Sequence, residues 1–210
     1  MKYKLVVFDM DGVIFVQDNF WNLMHHKYDT VEEGFKLTQK YLRTDVKKLA
    51  DEVIGKLWKG KSAEGFFELI EEAEYNPGAK ELFDKLKKIG IRTCILTSGP
   101  TELAKRAKND LGVDFVYGNE IVIKNNKITG QYNWLSLDYT HKGETFLKIC
   151  KEIGIKPEEA IVVGDNDQDI SKFEKAGFSI AFNSNSEKLK KAADAVIDDN
   201  DLREILKFVK

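Results

Sequence analysis

The chain has 210 residues, of which 42% are hydrophobic and 32% are charged, and its formal net charge is −2. This length suits one substantial core, or a core with a small insertion, and this composition excludes a disordered chain. Charges of both signs are spread throughout, so no basic stripe predicts binding to nucleic acid or to a membrane surface. No apolar run has the length of a transmembrane helix or of a signal-peptide core, and we therefore expect a cytoplasmic protein.

The first predicted element is a buried strand. The apolar run LVVF at Leu5–Phe8 is followed by the polar turn DMDG, a pattern typical of a central strand in a parallel sheet that is covered on both faces. The segment from 16 to 75 then contains helical patterns without a strand, and one of them opens with a capping box, Thr30 to Glu33. We interpret this segment as a small helical cap domain inserted directly after the first strand.

Strand and helix patterns alternate in the rest of the chain. Apolar runs within 90–99 and 158–167 end in small or polar residues, and 178–182 is a fourth candidate strand. Helical patterns separate these runs, and GNEIVIKNNKITGQY predicts a β-hairpin. This alternation predicts an α/β fold with a doubly wound, Rossmann-like parallel sheet. The predicted core domain comprises residues 1–15 and 76–210, and the predicted cap domain comprises residues 16–75.

Polar residues cluster where the predicted strands end, and ligands of open α/β sheets bind beyond this edge. Carboxylates gathered there repel one another unless a cation lies among them, and oxygen ligands without histidine or cysteine favour Mg²⁺. Because Mg²⁺ is commonly bound together with substrate phosphate, the pattern indicates phosphoryl chemistry. The residues of this cluster are Asp9 and Asp11 after the first strand, Thr97, Ser98 and Gly99 after the second, Asp165, Asn166, Asp167 and Asp169 after a later strand, and Lys142 at the start of a helix.

Two carboxylates are sufficient for such chemistry. One can attack phosphorus, and the other can protonate the leaving alkoxide and later activate water. Only Met10 separates Asp9 from Asp11, so in a continuing strand the two side chains would point to the same face. Gly12 permits the turn after the strand, which would hold Asp11 at the same site as Asp9.

Four segments in this order, DMDGV, LTSG, HKGE and VVGDNDQDI, resemble the four motifs of the haloacid dehalogenase superfamily. From about residue 77 to residue 210 the chain is similar to the phosphoserine phosphatase branch. The resemblance implies a Mg²⁺-dependent phosphatase that hydrolyses a small-molecule phosphomonoester through an aspartyl-phosphate. Its partner would be a small phosphorylated metabolite rather than nucleic acid or a membrane.

The resemblance also implies roles for the acidic residues. Asp9 would be the nucleophile and a metal ligand. Asp11 would be the general acid and base, and its backbone carbonyl would bind the metal. Asp165 would be a metal ligand, and Asp169 would support the metal ligands. Gln168 replaces an asparagine that usually precedes this last aspartate.

Phosphate binding is implied for Ser98, the Gly99 amide and Lys142. The cap departs from the phosphoserine enzymes at two places. Asp18 lies near the position of a glutamate that contacts the substrate amine, and Arg43 is the only arginine between residues 16 and 75. Specificity for phosphoserine therefore does not follow from the sequence.

Three alternatives stay open at this point. The same aspartyl-phosphate could pass its phosphoryl group to another hydroxyl, as in a phosphotransferase or mutase. A non-catalytic regulator could bind phosphate and Mg²⁺ without turnover, since a fold does not fix a function. Ser98 could act as a helix N-cap, a role compatible with phosphate binding.

Overall fold

The structure is a computed structural model that describes residues 2–17, 19–133 and 142–209. The strands are β1 (Leu5–Phe8), β2 (Arg92–Pro100), β3 (Phe115–Lys124), β4 (Lys127–Asn133), β5 (Ala160–Gly164), β6 (Phe178–Phe182) and β7 (Ala195–Ile197). The α-helices are α1 (Phe20–Lys27), α2 (Val31–Tyr41), α3 (Val46–Glu52), α4 (Glu64–Glu72), α5 (Ala79–Lys88), α6 (Thr101–Leu111), α7 (Lys142–Ile153), α8 (Ile170–Phe173) and α9 (Glu187–Ala192). A π-helical segment, Val53–Leu57, continues α3, and 3₁₀ turns are formed by Pro157–Glu159, Asp167–Asp169 and Leu202–Phe208.

The strands form one sheet in the order β4-β3-β2-β1-β5-β6-β7. Neighbouring strands are parallel except for β3 and β4, which form the antiparallel hairpin. Strands β2, β3 and β4 lie on one side of β1, and β5, β6 and β7 lie on the other side. The predicted doubly wound α/β fold is confirmed, and its strand order reverses between β1 and β5.

Strand β1 is the middle strand of the sheet. Val6 and Phe8 pack in the apolar cluster on one face of the sheet, and Leu5 and Val7 pack in the cluster on the other face, which includes Phe146 of α7. This alternation arises because the strand is pleated, so successive side chains point to opposite faces of the sheet. Because both faces are covered, every residue of this strand is apolar, as the continuous run LVVF predicts.

Helices α1 to α4 lie between β1 and α5 in the chain, and the described part of 16–75 contains no strand. Phe20, Trp58 and Phe66 are buried in the same apolar cluster as Phe8 of β1. The division into a core domain and a cap domain stays a prediction. Within the described ranges, no helix combines the length and the apolar character needed to cross a membrane.

The capping box predicted at Thr30 is wrong. Helix α2 begins after Thr30, but the Thr30 side chain makes no hydrogen bond to the helix N-terminus. Its hydroxyl pairs with His25 Nδ1 at 2.8 Å and accepts a hydrogen bond from Trp58 Nε1 at 3.1 Å. Buried polar groups need partners, and two such groups compete here for the hydroxyl that would otherwise cap the helix.

The predicted hairpin is confirmed. Asn125 and Asn126 connect β3 to β4 with φ values of 49° and 57°, the left-handed conformation that a tight hairpin turn requires. An isolated β-bridge joins Lys127 to Ser62, and the Tyr132 hydroxyl donates to Asp51 Oδ1 at 2.8 Å. The hairpin therefore contacts the helical segment that follows β1.

Candidate active site

The carboxyl ends of β1 and β5 form the floor of the site. Asp9 follows β1, Asp165 follows β5, and the Asp9 amide donates to the Val163 carbonyl at 3.0 Å. Gly12 has a φ of 74°, and a Cβ at this position would lie only 2.3 Å from Asp165 Oδ2. The bend at Gly12 therefore needs glycine for its backbone conformation and for its close approach to a candidate ligand.

Lys142 ties two of the candidate aspartates together. Its Nζ donates to Asp9 Oδ2 at 2.6 Å and to Asp169 Oδ1 at 2.8 Å, and the lysine side chain is buried. Burial alone would lower the pKa of Lys142, but the two carboxylates outweigh it and raise this pKa above its usual value. A buried ammonium group at this place offers a fixed positive charge to any phosphate bound beside Asp9.

The acidic residues fit a hard divalent cation. One carboxylate oxygen each from Asp9, Asp165 and Asp169 lies within 4.8 Å of the others. Burial, and next the negative charges of Asp9 and Asp169, raise the pKa of Asp165 to about 8. A cation would relieve this repulsion, and oxygen ligands of this kind suit Mg²⁺.

The surroundings of Asp169 differ from those of the other two carboxylates. Its Oδ2 accepts the amides of Asp165 and Asn166 at 3.1 and 3.4 Å, and its Oδ1 faces Lys142 and Lys172 at 2.8 Å each. Burial raises the pKa of Asp169, but the two lysines overcome this effect and lower it to about 2. Because its oxygens already have partners, we expect Asp169 to support the metal ligands rather than to bind the metal itself.

Asp11 is held at the start of the helical segment. Gln17 Nε2 donates to Asp11 Oδ1 and the Phe20 amide donates to Asp11 Oδ2, both at 3.1 Å. Burial is the largest cause that raises the pKa of Asp11 to about 7. A carboxyl group with this pKa can both give and take a proton near neutral pH, which is the property required of a general acid and base.

Two of the candidate phosphate-binding residues, Ser98 and Gly99, lie on β2, the strand next to β1. Ser98 Oγ donates to Gln168 Oε1 at 3.1 Å, and the Gly99 amide donates to Thr97 Oγ1 at 2.8 Å. A Cβ at Gly99 would lie 3.2 Å from Asp11 Oδ2, so this glycine adjoins the candidate acid. Helix α6 begins at Thr101 and its N-cap residue is Pro100, so Ser98 is not the N-cap of this helix.

Sequence reasoning missed three contacts of this site. Gln17 and the Phe20 amide hold Asp11, and Trp21 Nε1 donates to the Ser98 carbonyl at 2.9 Å. No motif marks these residues, because their contacts depend on how α1 meets the strand ends. Asp18, which the sequence analysis placed near the position of a substrate-contacting glutamate, lies outside the described residues.

A polar cleft of about 600 Å³ opens beside the acidic cluster. Gly12 and Asp165 line it from the strand ends, and Arg43 lines it from the helical segment. The volume suits a small-molecule ligand.

The sheet order and the buried acidic and basic groups define an α/β protein with an enzyme-like site at its switch point. A model of the haloacid dehalogenase-like hydrolase family matches residues 3–177. A phosphoserine phosphatase from Methanocaldococcus jannaschii is 33% identical over 219 residues, with all of this chain and 99% of that protein covered. One from Archaeoglobus fulgidus is 32% identical over 201 residues, covering 95% of this chain, which spans only 58% of that relative's length.

Solved structures agree with these relatives. A substrate-bound phosphoserine phosphatase complex is 31% identical and gives a TM-score of 0.86, with both chains fully covered. A phospho-aspartyl intermediate analogue of phosphoserine phosphatase, also 31% identical and fully covered, gives a TM-score of 0.85. The chain belongs to the haloacid dehalogenase-like hydrolase family. The predicted family and the predicted enzyme class, a phosphoric monoester hydrolase, are confirmed.

Proposed function

We propose that this protein is a Mg²⁺-dependent phosphatase that hydrolyses a small phosphomonoester through an aspartyl-phosphate on Asp9. The observation that carries the proposal is the buried contact of 2.6 Å between Lys142 Nζ and Asp9 Oδ2, beside the carboxylate of Asp165. This arrangement puts a nucleophile, a fixed positive charge and a set of hard oxygen ligands in one place. The relatives described as phosphoserine phosphatases support the same class of reaction.

In the first half-reaction, an Asp9 carboxylate oxygen attacks phosphorus, and the bond between phosphorus and the leaving oxygen breaks. Lys142 stabilises the negative charge on the phosphoryl oxygens, and Asp11 gives its proton to the leaving alkoxide. Asp9, Asp165 and the Asp11 backbone carbonyl would hold Mg²⁺. When bound, this ion would offset the charge of the carboxylates and phosphate.

In the second half-reaction, Asp11 takes a proton from water, which attacks phosphorus and releases Asp9 and inorganic phosphate. Its pKa of about 7 suits both directions of transfer. Ser98 and the Gly99 amide would contact the phosphate from the neighbouring strand. For this role the Gly99 amide would exchange its bond with Thr97 Oγ1 for one with a phosphoryl oxygen.

We propose a small phosphorylated metabolite as the substrate. Phosphoserine is the first compound to test, because the related proteins are described as phosphoserine phosphatases. Arg43 lines the cleft beside Asp165, and its positive charge would suit an acidic substituent of the substrate. A panel that pairs phosphoserine with phosphorylated alcohols and sugars measures how much an acidic leaving group matters.

Hydrolysis of an aryl phosphate tests the proposal without knowledge of the natural substrate. We expect turnover in the presence of Mg²⁺, loss of turnover after treatment with a chelator, and recovery when Mg²⁺ is added again. Recovery is the control that separates removal of the metal from damage to the protein. A rate that survives chelation would contradict the metal-dependent mechanism. If aryl phosphates and the whole metabolite panel fail to turn over, the protein is not a phosphatase of this kind.

A further inference from the structure

A second buried lysine lies behind the site. Lys172 of α8 is fully buried, and its Nζ lies 2.8 Å from Asp169 Oδ1 and donates to the Val163 carbonyl at 3.0 Å. The same Asp169 oxygen accepts a hydrogen bond from Lys142. Two ammonium groups thus share one carboxylate oxygen, and none of the roles assigned above uses the second of them.

The packing of α7 against α8 produces this arrangement. The Gly143 amide donates to Ser171 Oγ at 3.0 Å, and a Cβ at Gly143 would lie 2.2 Å from the Ser171 carbonyl oxygen. This close approach brings Lys142, at the start of α7, and Lys172 of α8 to the same oxygen of Asp169. The two lysines are 30 residues apart in the chain, so no local sequence pattern reveals that they meet.

Stability alone does not account for Lys172. Removing a lysine side chain from water is costly, and an apolar side chain of similar volume often serves a core as well or better. Burial lowers the pKa of Lys172, and Asp169 opposes this effect. Burial of the Lys172 ammonium group costs desolvation free energy that an apolar side chain would not cost. We therefore look for a role of Lys172 in the site.

The charge of Lys172 reaches the candidate metal ligands. Burial raises the pKa of both Asp9 and Asp165, and Lys172 is among the groups that oppose this rise at each of them. When all three carboxyl groups are ionised, as metal binding requires, Asp9, Asp165 and Asp169 set against the two lysines leave one net negative charge. A divalent cation would change this sign, and the site would then attract phosphate.

We propose that Lys172 is a positioning residue that sets the balance between cation binding and phosphate binding at the active site. It acts through Asp169, which it holds in place, and through the positive charge it adds behind Asp9. Loss of this charge makes the site more negative, so Mg²⁺ binds more tightly and inorganic phosphate binds more weakly. This inference rests on the proposed phosphatase function.

The test compares Lys172→Met, which keeps the approximate volume, with Lys172→Gln, which keeps a donor for the Val163 carbonyl and loses the charge. Lys151→Met, at an exposed position of α7, removes the same charge far from the cluster and is the matched control. Calorimetry measures the affinity for Mg²⁺ alone, and then for inorganic phosphate with Mg²⁺ saturating. Thermal unfolding verifies that each variant is folded.

We expect both Lys172 variants to bind Mg²⁺ about fivefold more tightly and phosphate about fivefold more weakly, and Lys151→Met to stay within about twofold for both. If Lys172 were merely structural, its replacement would weaken the binding of both Mg²⁺ and phosphate, or Lys172→Gln would bind both with native affinity while Lys172→Met did not. Either result would overturn the inference. Unchanged affinities in both variants, with native turnover intact, would overturn the inference alone. A native protein that binds neither ion and lacks turnover would overturn the proposed function as well.

Discussion

Replacement of Asp9 with Asn is expected to lower kcat by on the order of 10³-fold or more. The carboxamide keeps the size of the side chain, but its neutral oxygen is a poor nucleophile and cannot form the acyl phosphate. Asp165 remains, so Mg²⁺ binding should weaken without being lost. Steady-state kinetics with an aryl phosphate measures the first effect, and calorimetry with Mg²⁺ measures the second.

Asp84→Asn is the matched control for this change. Asp84 is exposed on α5, and its carboxylate forms an ion pair with Lys80 at 2.6 Å rather than with a residue of the candidate site. We expect its kcat to equal that of the native chain, because exposed ion pairs contribute little. Turnover that survives Asp9→Asn would mean that a different group attacks phosphorus.

Replacement of Asp11 with Asn is expected to separate substrates by their leaving groups. An alkoxide needs a proton as it leaves, so alkyl phosphates should lose about 10² to 10⁴ in kcat. An aryl oxide leaves without this help, so the first half-reaction with an aryl phosphate should change less. The second half-reaction lacks its base, and the aspartyl-phosphate should therefore accumulate.

Rapid mixing of the Asp11→Asn variant with an aryl phosphate measures this accumulation. We expect a burst of the phenol product that approaches one equivalent per protein molecule, followed by a slow steady rate. The same loss of rate for alkyl and aryl phosphates, without a burst, would contradict the role of Asp11 as general acid and base. A wild-type trace without a burst is consistent with the account, since Asp11 then assists both half-reactions.

The floor of the site could be predicted from sequence because its signals are local. LVVF indicates a strand buried on both faces, and two aspartates directly after it have no place in a core. Parallel strands share one carboxyl edge, so Asp9 and Asp165 had to be neighbours once β1 and β5 were adjacent. The Asn125–Asn126 turn was equally local, since two left-handed residues in a row favour a short hairpin.

Contacts between distant segments could not be predicted in this way. Thr30 fits a capping box with Glu33, yet its hydroxyl belongs to a buried network with His25 and Trp58 that only tertiary packing creates. Lys172 stands in the segment ISKF, where a lysine is ordinarily solvent-exposed. Its burial depends on the close approach of α8 to α7 at Gly143.

Reductive trapping of the covalent intermediate tests the central claim most directly. The protein is mixed with Mg²⁺ and substrate, quenched, and treated with borohydride, which reduces an aspartyl-phosphate to homoserine. Peptide mass spectrometry then locates the change. The account predicts homoserine at position 9, absent without substrate and absent in Asp9→Asn. Sustained turnover with no trapped residue at position 9, or with the trapped residue elsewhere, would contradict it.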